Sequence, residues 1–267
     1  MNDAAFEAAR AALVEARRRA RAIAECPAAW RPADLREAYR LQAAVIDAFG
    51  PVGAWKVGAI TAGQRQAMGI PAPAAGAIPV TFVQDASERP GRLRLAAFIA
   101  PLIECELAFE LAGELPPRPA PGYSRDEVAA ATAALRLAIE LVDPRLARGS
   151  GALAEIADGF NNGAFIAGPR LRDWRGLDFA STGIVLTIVG PGGRRAELAR
   201  GSGRAILEGD PFAAVVLLAN AQPPGRGLRA GDIVTTGSCT GAPRLPGPGR
   251  YRAEFEGLGS VELQLDA

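Results

Sequence analysis

Histidine is absent from this chain of 267 residues, and lysine occurs once among its 30 basic residues. Histidine is the side chain that most often exchanges protons near neutral pH, and it is a common metal ligand. Its absence excludes histidine-based catalysis and histidine-ligated metal sites. Any chemistry here must therefore depend on carboxylates, the single lysine, bound water or a metal ion.

The single lysine, Lys56, lies in the segment Trp55-Lys56-Val57-Gly58, and every other basic residue is an arginine. Arginine is permanently charged and forked, whereas lysine is a compact charge whose pKa shifts when it is buried. A residue that must give or take a proton cannot be replaced by arginine. Lys56 is therefore a candidate catalytic residue, and the alternative is an ordinary residue on the surface.

Cysteine, net charge and long apolar runs are also scarce. The three cysteines, Cys26, Cys105 and Cys239, are too few and too scattered for a disulfide framework or a zinc site. The formal net charge of +1 gives no reason to expect a nucleic-acid partner. No stretch approaches the roughly 20 apolar residues of a membrane span, and the N-terminus lacks an apolar signal core. We therefore expect a cytoplasmic protein with neither a membrane nor a nucleic-acid partner.

The N-terminal part of the chain has helical patterns. Apolar residues recur at alternating intervals of three and four, which predicts one amphipathic helix over residues 1–25. These residues are Phe6, Ala9, Leu13, Ala16, Ala20 and Ile23. A second helix is predicted to begin near Pro32 and to end at Gly50-Pro51. We expect a helical N-terminal region over 1–52, whose apolar stripe docks on the protein's own core or on a neighbouring subunit.

Beyond residue 52 the patterns of β-strands dominate. Ser124 and Glu127 have the spacing of a capping box, which predicts a helix over 125–136, followed by a strand over 137–143. Another helix is predicted over 211–220. Other strands are predicted near 54–60, 76–83, 93–111, 163–168, 182–189, 232–237, 250–256 and 260–265, with loops at 221–228 and 241–249. We therefore expect a mixed α/β fold in which 53–267 form the catalytic domain.

Two glutamates, separated by one residue, lie in an apolar strand. Glu104 and Glu106 are two residues apart, so their side chains project from the same face of the strand. Carboxylates this close repel each other and need a cation or protons. Their hard oxygen atoms favour Mg²⁺, Mn²⁺ or Ca²⁺ over zinc. The alternative is an exposed strand edge on which the two carboxylates are solvated.

A third acid, Glu140, interrupts the apolar strand 137–142, where a carboxylate is seldom buried without a partner. Three glutamates from two buried strands would form a facial metal site with positions left open for a substrate. Glu110 lies on the same face as Glu104 and Glu106, toward the end of the strand, and is a spare candidate ligand. The sequence thus predicts a divalent-metal site.

Several short motifs extend from about residue 35 to the C-terminus. They are Ala38-Tyr39-Arg40-Leu41-Gln42, Trp55-Lys56-Val57-Gly58, Ile103-Glu104-Cys105-Glu106-Leu107-Ala108-Phe109, Ile139-Glu140-Leu141-Val142-Asp143-Pro144-Arg145, Gly201-Ser202-Gly203, Gly209-Asp210-Pro211, Gly231-Asp232-Ile233-Val234-Thr235-Thr236-Gly237 and Leu258-Gly259-Ser260-Val261. Together and in this order, they resemble the 2-keto-4-pentenoate hydratases of the fumarylacetoacetate hydrolase superfamily. The resemblance implies a β-roll like the C-terminal domain of fumarylacetoacetase, flanked by helices.

The resemblance also implies a site and a reaction. Glu104, Glu106 and Glu140 would be ligands of Mg²⁺ or Mn²⁺, and Lys56 the active-site lysine. The implied substrate is a small 2-oxo acid, and the implied reaction adds water to a 2-hydroxy-2,4-dienoate to give a 4-hydroxy-2-oxo acid in the breakdown of aromatic compounds. The implied assembly is a homo-oligomer.

Three other readings stay open. The first is decarboxylation of a 2-oxo-3-enedioate, as in the similar 4-oxalocrotonate decarboxylases. The second is an acylpyruvate-type C–C hydrolase, which the absence of histidine disfavours. The third is a non-catalytic homologue, or a structural partner of a neighbouring pathway enzyme.

The substrate end of the site departs from the hydratase pattern. The departures are Trp55 before the lysine, Ala74-Ala75-Gly76 in place of an Asp-Phe-Gly turn, Leu102 in place of a basic residue, and Asn161 in place of a hydroxyl. The candidate substrate-binding residues are Gln66, Arg145, Asn161 and Ser238. For Gln66 the alternative is an exposed helix position, and for Arg145 it is a structural salt bridge. We therefore expect a retained metal end and a remodelled substrate end.

Overall fold

The structure is a computed structural model that describes residues 1–147, 149–221 and 227–267. The helices are α1 Asp3–Arg18, α2 Leu35–Ile46, α3 Ala62–Met68, α4 Arg125–Ala130, α5 Ala152–Ala157 and α6 Pro211–Ala221. The strands are β1 Val52–Gly58, β2 Ala74–Pro79, β3 Val83–Asp85, β4 Gly91–Arg94, β5 Leu102–Leu111, β6 Thr132–Val142, β7 Asn162–Leu171, β8 Gly183–Val189, β9 Arg195–Ser202, β10 Ile233–Ser238, β11 Gly249–Phe255 and β12 Gly259–Asp266. The loop predicted at 221–228 lies mostly outside the described residues. In the described part of the chain, no helix is both long and apolar enough to cross a bilayer.

Helix α1 carries most of the predicted apolar stripe. Phe6, Ala9, Leu13 and Ala16 of the stripe are buried, and so is Val14, which the pattern did not include. The helix ends at Arg18, and Ala20 takes a left-handed backbone with φ 47°. The prediction of a helix to residue 25 is therefore wrong at its C-terminal end. Ile23 forms an isolated β-bridge with Leu146 instead.

Helix α2 covers the free edge of strand β2. It begins at Leu35 rather than near Pro32, because the Asp34 side chain caps it by accepting a hydrogen bond from Glu37 N at 2.8 Å. From its buried face, Gln42 accepts from Ala77 N at 3.0 Å. An unpaired strand edge is a site of aggregation unless another element covers it. Helix α2 provides that cover in this chain.

Seven strands form the larger sheet, in the order β2-β1-β10-β5-β6-β7-β3. The sheet curls, and its two sides are joined where Asn162 Nδ2, at the start of β7, donates to Ala77 O of β2 at 2.6 Å. This curled sheet is the β-roll that the family resemblance implies. Its concave face encloses a small space, so that side chains from distant strands meet there.

The two faces of the roll differ in size and chemistry. The outer face packs against the helices and the second sheet in a large apolar core. The inner face holds a small apolar cluster of Ala54, Ile78, Ala108, Ala138, Phe165, Ala167 and Ile233. Successive side chains of a strand point to opposite faces. Strand β5 therefore sends Leu107 and Phe109 outward, and its glutamates inward.

Five strands form the second sheet, in the order β4-β12-β11-β8-β9. Strand β12 contacts β6 and β7 and so joins the two sheets. Strand β9 was not predicted, because none of its residues is buried and its sequence therefore shows no buried alternation. The strands predicted near 250–256 and 260–265 are confirmed as β11 and β12.

The predicted helix at 125–136 is only partly confirmed. The capping box is present, since Ser124 and Glu127 bond each other's backbone N–H groups. The helix ends at Ala130, and β6 begins at Thr132. The segment 132–136 pairs with β5 and forms the middle of the sheet, so tertiary pairing overrides its helical propensity.

Candidate active site

The register of β5 and β6 brings the three predicted metal ligands together. Glu104 lies directly opposite Glu140, and Glu106 lies opposite Ala138. Each glutamate offers one carboxylate oxygen, and these three oxygens lie within 4.8 Å of one another. We call Glu104, Glu106 and Glu140 the carboxylate cluster. It lies at one end of the inner face of the roll.

Glu106 is fixed by strand β10. Its Oε2 accepts hydrogen bonds from Thr235 Oγ1 and from Gly237 N at 2.8 Å. The pairing of β10 with β5 shifts register between Thr235 and Ser238. This irregularity turns the backbone N–H of Gly237 toward the carboxylate. The role of Thr235 was not predicted from the sequence, although the residue lies within the motif 231–237.

Lys56 reaches the carboxylate cluster across the roll. Its Nζ lies 2.8 Å from Glu140 Oε1. Strands β1 and β6 are three places apart in the sheet, which in a flat sheet is a separation of about 14 Å. The curl of the sheet therefore brings the two side chains into contact. Lys56 is only 8% exposed, so the alternative of an ordinary surface lysine does not describe it.

Burial dominates the electrostatics of this site. It raises the pKa of Glu104 and Glu106 to about 7 and of Glu140 to about 8, and the neighbouring carboxylates add to the shift. Burial lowers the pKa of Lys56, but the three carboxylates outweigh burial and raise it. The favoured state therefore keeps Lys56 charged. One ammonium does not balance three carboxylates, so a further positive charge would stabilise the cluster.

The residues present fit a hard divalent cation. Three carboxylates supply oxygen ligands of the kind that Mg²⁺ and Mn²⁺ prefer. Oε2 of Glu140 is buried and has no hydrogen-bond partner among the described residues. A buried carboxylate oxygen without a partner is costly, and coordination to a cation would remove that cost.

A strained turn lies beside Lys56. Gly159, Phe160 and Asn161 have φ values of 66°, 57° and 61°, and a left-handed residue other than glycine costs about 1–2 kcal/mol. A Cβ added at Gly76 would lie 2.7 Å from Lys56 Cγ and 2.9 Å from Phe160 Cβ. The glycine is thus required where both side chains cross β2. Phe160 was not predicted as a site residue, and the one sequence feature that pointed to it was the altered stretch 158–161.

The predicted substrate-binding residues lie in different places. Asn161 belongs to this turn, and Ser238 ends β10 beside Glu106, where its Oγ donates to Gly241 O at 2.7 Å. Gln66 is exposed on α3. Arg145 is buried behind the turn, and its Nε lies 2.6 Å from Asp158 Oδ1. A substrate contact of these four stays a prediction.

The structure also shows where the residues that depart from the hydratase pattern lie. Trp55 points to the outer face, and its indole N–H donates to Asp232 at 3.2 Å. Ala74 and Ala75 are fully buried in β2. Leu102 starts β5 and bridges to Arg244. Of these positions, Leu102 and Asn161 remain partly exposed.

No protein-family model matches the chain. The 2-keto-4-pentenoate hydratase of Paraburkholderia phymatum is 31% identical over 212 residues, which cover 79% of this chain and 76% of the relative. The chain belongs to the 2-keto-4-pentenoate hydratase family. The 2-hydroxyhexa-2,4-dienoate hydratase of Comamonas testosteroni is 32% identical over 178 residues, which cover 65% of this chain and 63% of the relative. Hydratases are lyases, so the expectation of an enzyme of this class is confirmed.

Solved structures confirm the predicted fold of this chain. A 4-oxalocrotonate decarboxylase from Pseudomonas putida G7, complexed with magnesium and adipate, has a TM-score of 0.84 and 21% identity, covering 99% of this chain and 98% of that one. A fumarylacetoacetate hydrolase family protein from Yersinia pestis CO92 has a TM-score of 0.53 and 22% identity, covering 81% of this chain and 94% of that one. The chain therefore has the fold of the fumarylacetoacetate hydrolase superfamily.

Proposed function

We propose that this enzyme is a metal-dependent hydratase that adds water to a 2-hydroxy-2,4-dienoate and releases a 4-hydroxy-2-oxo acid. The observation that carries the proposal is the carboxylate cluster with Lys56 Nζ at 2.8 Å from Glu140. The names of the curated relatives support hydration, and the resemblance of the motifs supports the same residues. The predicted roles of Lys56, Glu104, Glu106 and Glu140 are part of this proposal.

The carboxylate cluster would hold Mg²⁺ or Mn²⁺. A bound divalent cation would act as a Lewis acid toward the oxygens of the 2-oxo acid and would fix its orientation. Glu106 is held by Thr235 and Gly237 and is therefore oriented before any ligand binds. Oε2 of Glu140, which has no hydrogen-bond partner among the described residues, is a second candidate ligand atom.

Lys56 would carry the proton chemistry. In the net reaction the dienol becomes a ketone, a carbon atom gains a proton, and water adds to the conjugated C=C bond. The ammonium of Lys56 is buried beside three carboxylates, which keep its pKa raised despite burial. It would stabilise negative charge on the substrate and supply a proton within hydrogen-bond reach. A histidine is not needed for this scheme.

Decarboxylation is the second candidate. It is favoured by the structural likeness to a 4-oxalocrotonate decarboxylase over 99% of the chain. At 21% identity that likeness concerns the fold, so the substrate has to decide between the two reactions. A decarboxylase would act on a substrate with a second carboxylate and release CO₂, whereas a hydratase would act on a monocarboxylic dienol without gas release.

The deciding measurement follows the ultraviolet absorbance of 2-hydroxypenta-2,4-dienoate mixed with purified protein. We expect loss of the dienol band with Mg²⁺ or Mn²⁺, no loss with EDTA, and a 4-hydroxy-2-oxo acid as the product. The same assay with a 2-oxo-3-enedioate should give no CO₂. Release of CO₂ with no hydration would establish the decarboxylase, and inactivity on both substrates would favour a C–C hydrolase or a non-catalytic homologue.

We also propose a cytoplasmic homo-oligomer, with the helical region 1–52 packed on the catalytic domain 53–267. The exposed part of helix α1 would be available to a second copy of the chain. Light scattering after size-exclusion chromatography would measure the mass of the assembly. A monomer at micromolar concentration would contradict the proposal of an oligomer.

A further inference from the structure

We propose that Phe160 forms the wall of the substrate pocket beside Lys56 and selects substrates whose tail carries no second carboxylate. The inference rests on the proposed function, because it concerns the tail of the 2-oxo acid that the carboxylate cluster and Lys56 would hold. It also predicts which of the two candidate reactions the pocket admits.

Two glycines locate the Phe160 side chain. A Cβ added at Gly58 would lie 2.4 Å from two atoms of the Phe160 ring, so the ring lies directly on the backbone of β1, two residues after Lys56. At Gly76, the Phe160 Cβ and the Lys56 stem share one small space. The ring is half-buried. The ring is therefore a neighbour of the Lys56 side chain, and a substrate tail that extends past Lys56 along β1 would contact it.

The turn that carries Phe160 is fixed from behind. Asn162 is completely buried, and its Nδ2 donates to Gly159 O at 2.9 Å and to Ala77 O at 2.6 Å. The backbone O of Asn161 accepts from Asp143 N at 2.9 Å. These bonds hold Phe160 in its left-handed conformation, which the residue would not adopt alone. The wall is therefore rigid, and a substrate must fit it.

The cations around this turn already have partners. Arg145 donates to Asp158 Oδ1 from Nε at 2.6 Å and to Asn162 O from Nη1 at 2.6 Å. Arg17 donates to Asn162 Oδ1 at 2.6 Å and to Gly163 O at 2.7 Å. Both guanidinium groups are thus engaged by Asp158, Asn162 and Gly163.

A second carboxylate on the substrate would therefore face an aromatic ring. The ammonium of Lys56 is already paired with Glu140, and Arg65, beside the end of β1, donates to Ala59 O and Ile60 O. A carboxylate that leaves water without a new partner loses its hydration and gains nothing. An uncharged vinyl or alkyl tail gains contact with the ring instead. Discrimination by an unfavourable contact of this kind is a common source of specificity.

The test compares two inhibitors that differ only in a terminal carboxylate, 2-oxohexanoate and 2-oxohexanedioate, on the Mg²⁺-loaded enzyme. We expect the wild type to bind 2-oxohexanoate at least about tenfold more tightly. In Phe160→Arg this preference should fall by about tenfold or more. Phe160→Met is the matched control, because methionine has a similar length and meets the same backbone strain without a charge. Its preference should stay close to that of the wild type.

Phe160→Gly supplies a second test that does not depend on the folding of the arginine variant. Glycine suits a φ of 57° and removes the ring, so the preference should fall by about threefold or more as water enters. Calorimetric titration of both inhibitors gives the same ratio without turnover. The proposal is overturned if the wild type prefers 2-oxohexanedioate, or if the arginine and methionine variants share one preference.

The outcomes also separate this inference from the proposed function. A wild type that hydrates the dienoate but keeps its preference in both Phe160→Arg and Phe160→Gly would refute the wall alone. A wild type that binds neither inhibitor in the presence of Mg²⁺ would refute both proposals. A wild type that binds 2-oxohexanoate but hydrates no dienoate would refute only the reaction.

Discussion

Charged side chains occupy both ends of the inner face of the roll, and the two ends differ in charge balance. The carboxylate cluster and Lys56 lie at one end. At the other end lies the Arg136 cluster, which consists of Arg136, Asp85, Glu110 and Arg170. Arg136 is only 1% exposed, and its guanidinium lies 2.8 Å from Glu110, 2.9 Å from Asp85 and 2.8 Å from Gly168 O. Both clusters use inward-facing residues of β5 and β6.

The Arg136 cluster pairs two cations with two carboxylates. At the other end, one cation, Lys56, faces the three carboxylates of the carboxylate cluster. Burial raises the pKa of Glu110, but its bonds to Arg170 and Arg136 outweigh burial and lower it. At the other end, burial raises the pKa of Glu140 to about 8, and Lys56 only partly opposes the shift. Where oppositely charged side chains balance a buried charge, as in the Arg136 cluster, the charge stabilises the fold. Where it is left unbalanced, it indicates a site that a ligand completes.

The largest expected difference between the two ends is in turnover. Glu106→Gln should abolish metal-dependent turnover and weaken Mn²⁺ binding by more than about 100-fold, because it removes a ligand that Thr235 and Gly237 hold in place. Glu110→Gln is the matched control on the same strand and the same face. It should keep metal binding and turnover and lose only stability.

The readouts are steady-state turnover over a Mg²⁺ titration and calorimetry with Mn²⁺, with EDTA-treated enzyme as the metal-free reference. Equal turnover of Glu106→Gln and the wild type would mean that the carboxylate cluster is not the metal site. Loss of metal binding in Glu110→Gln would contradict the distinction between the two ends.

Lys56→Arg should lower kcat by about 10²- to 10⁴-fold while the metal affinity changes little. The guanidinium keeps the positive charge but cannot give up a proton, and its planar fork replaces a compact ammonium that lies 2.8 Å from Glu140. Stopped-flow absorbance of the dienol gives kcat. The converse change, Arg65→Lys on α3, is the control and should leave kcat within about twofold. Wild-type kcat in Lys56→Arg would remove the lysine from the mechanism.

Arg136→Met should affect stability and not chemistry. Removing one partner of a buried ion pair costs about 3–5 kcal/mol, because Glu110 is left without its buried partner. Urea denaturation measures this loss, and kcat per folded molecule should stay unchanged. Arg170→Met is the control, since Arg170 contacts the same Glu110 but is 54% exposed, and it should cost less than about 1 kcal/mol. Equal losses in the two variants would contradict a structural role specific to the buried arginine.

The sequence predicts the carboxylate cluster and Lys56 better than it predicts the residues around them. Glu104, Glu106, Glu140 and Lys56 were predicted because each breaks a pattern within its own segment, either an acid in an apolar strand or a lysine among arginines. Phe160 breaks no such pattern. Its position depends on a left-handed turn and on contact with glycines of two other strands, which no local pattern reveals.

The fold shows the same division between local and distant effects. The apolar stripe of α1 and the capping box of α4 are local, and both are confirmed. The extent of α4 was wrong because 132–136 belong to the middle of a sheet, and β9 was missed because its side chains are exposed. Local sequence patterns show that an element is present. Its end can depend on pairing with a distant strand, which those patterns do not show.

The smallest expected difference concerns acid stability at the balanced end. Burial opposes the shift, but hydrogen bonds from Ser87 and Arg136 lower the pKa of Asp85 from 3.8 to about 2. A carboxylate with a depressed pKa stabilises the fold above its unfolded pKa, and the contribution disappears as pH falls through the folded value. As the pH falls from about 5 to about 2, the free energy of unfolding should therefore decrease less in Asp85→Asn than in the wild type.

Because the Asp85 side chain is 56% exposed, solvent screens its ion pair, and the difference should stay below about 1 kcal/mol. Urea denaturation at several pH values from 2 to 5 measures it as the difference between the two proteins at each pH. Asp3→Asn is the control, because the Asp3 carboxylate is 98% exposed and should leave the acid profile unchanged. Parallel profiles for Asp85→Asn and the wild type would mean that Asp85 adds nothing to the charge balance. The Arg136 cluster would then depend on Glu110 alone.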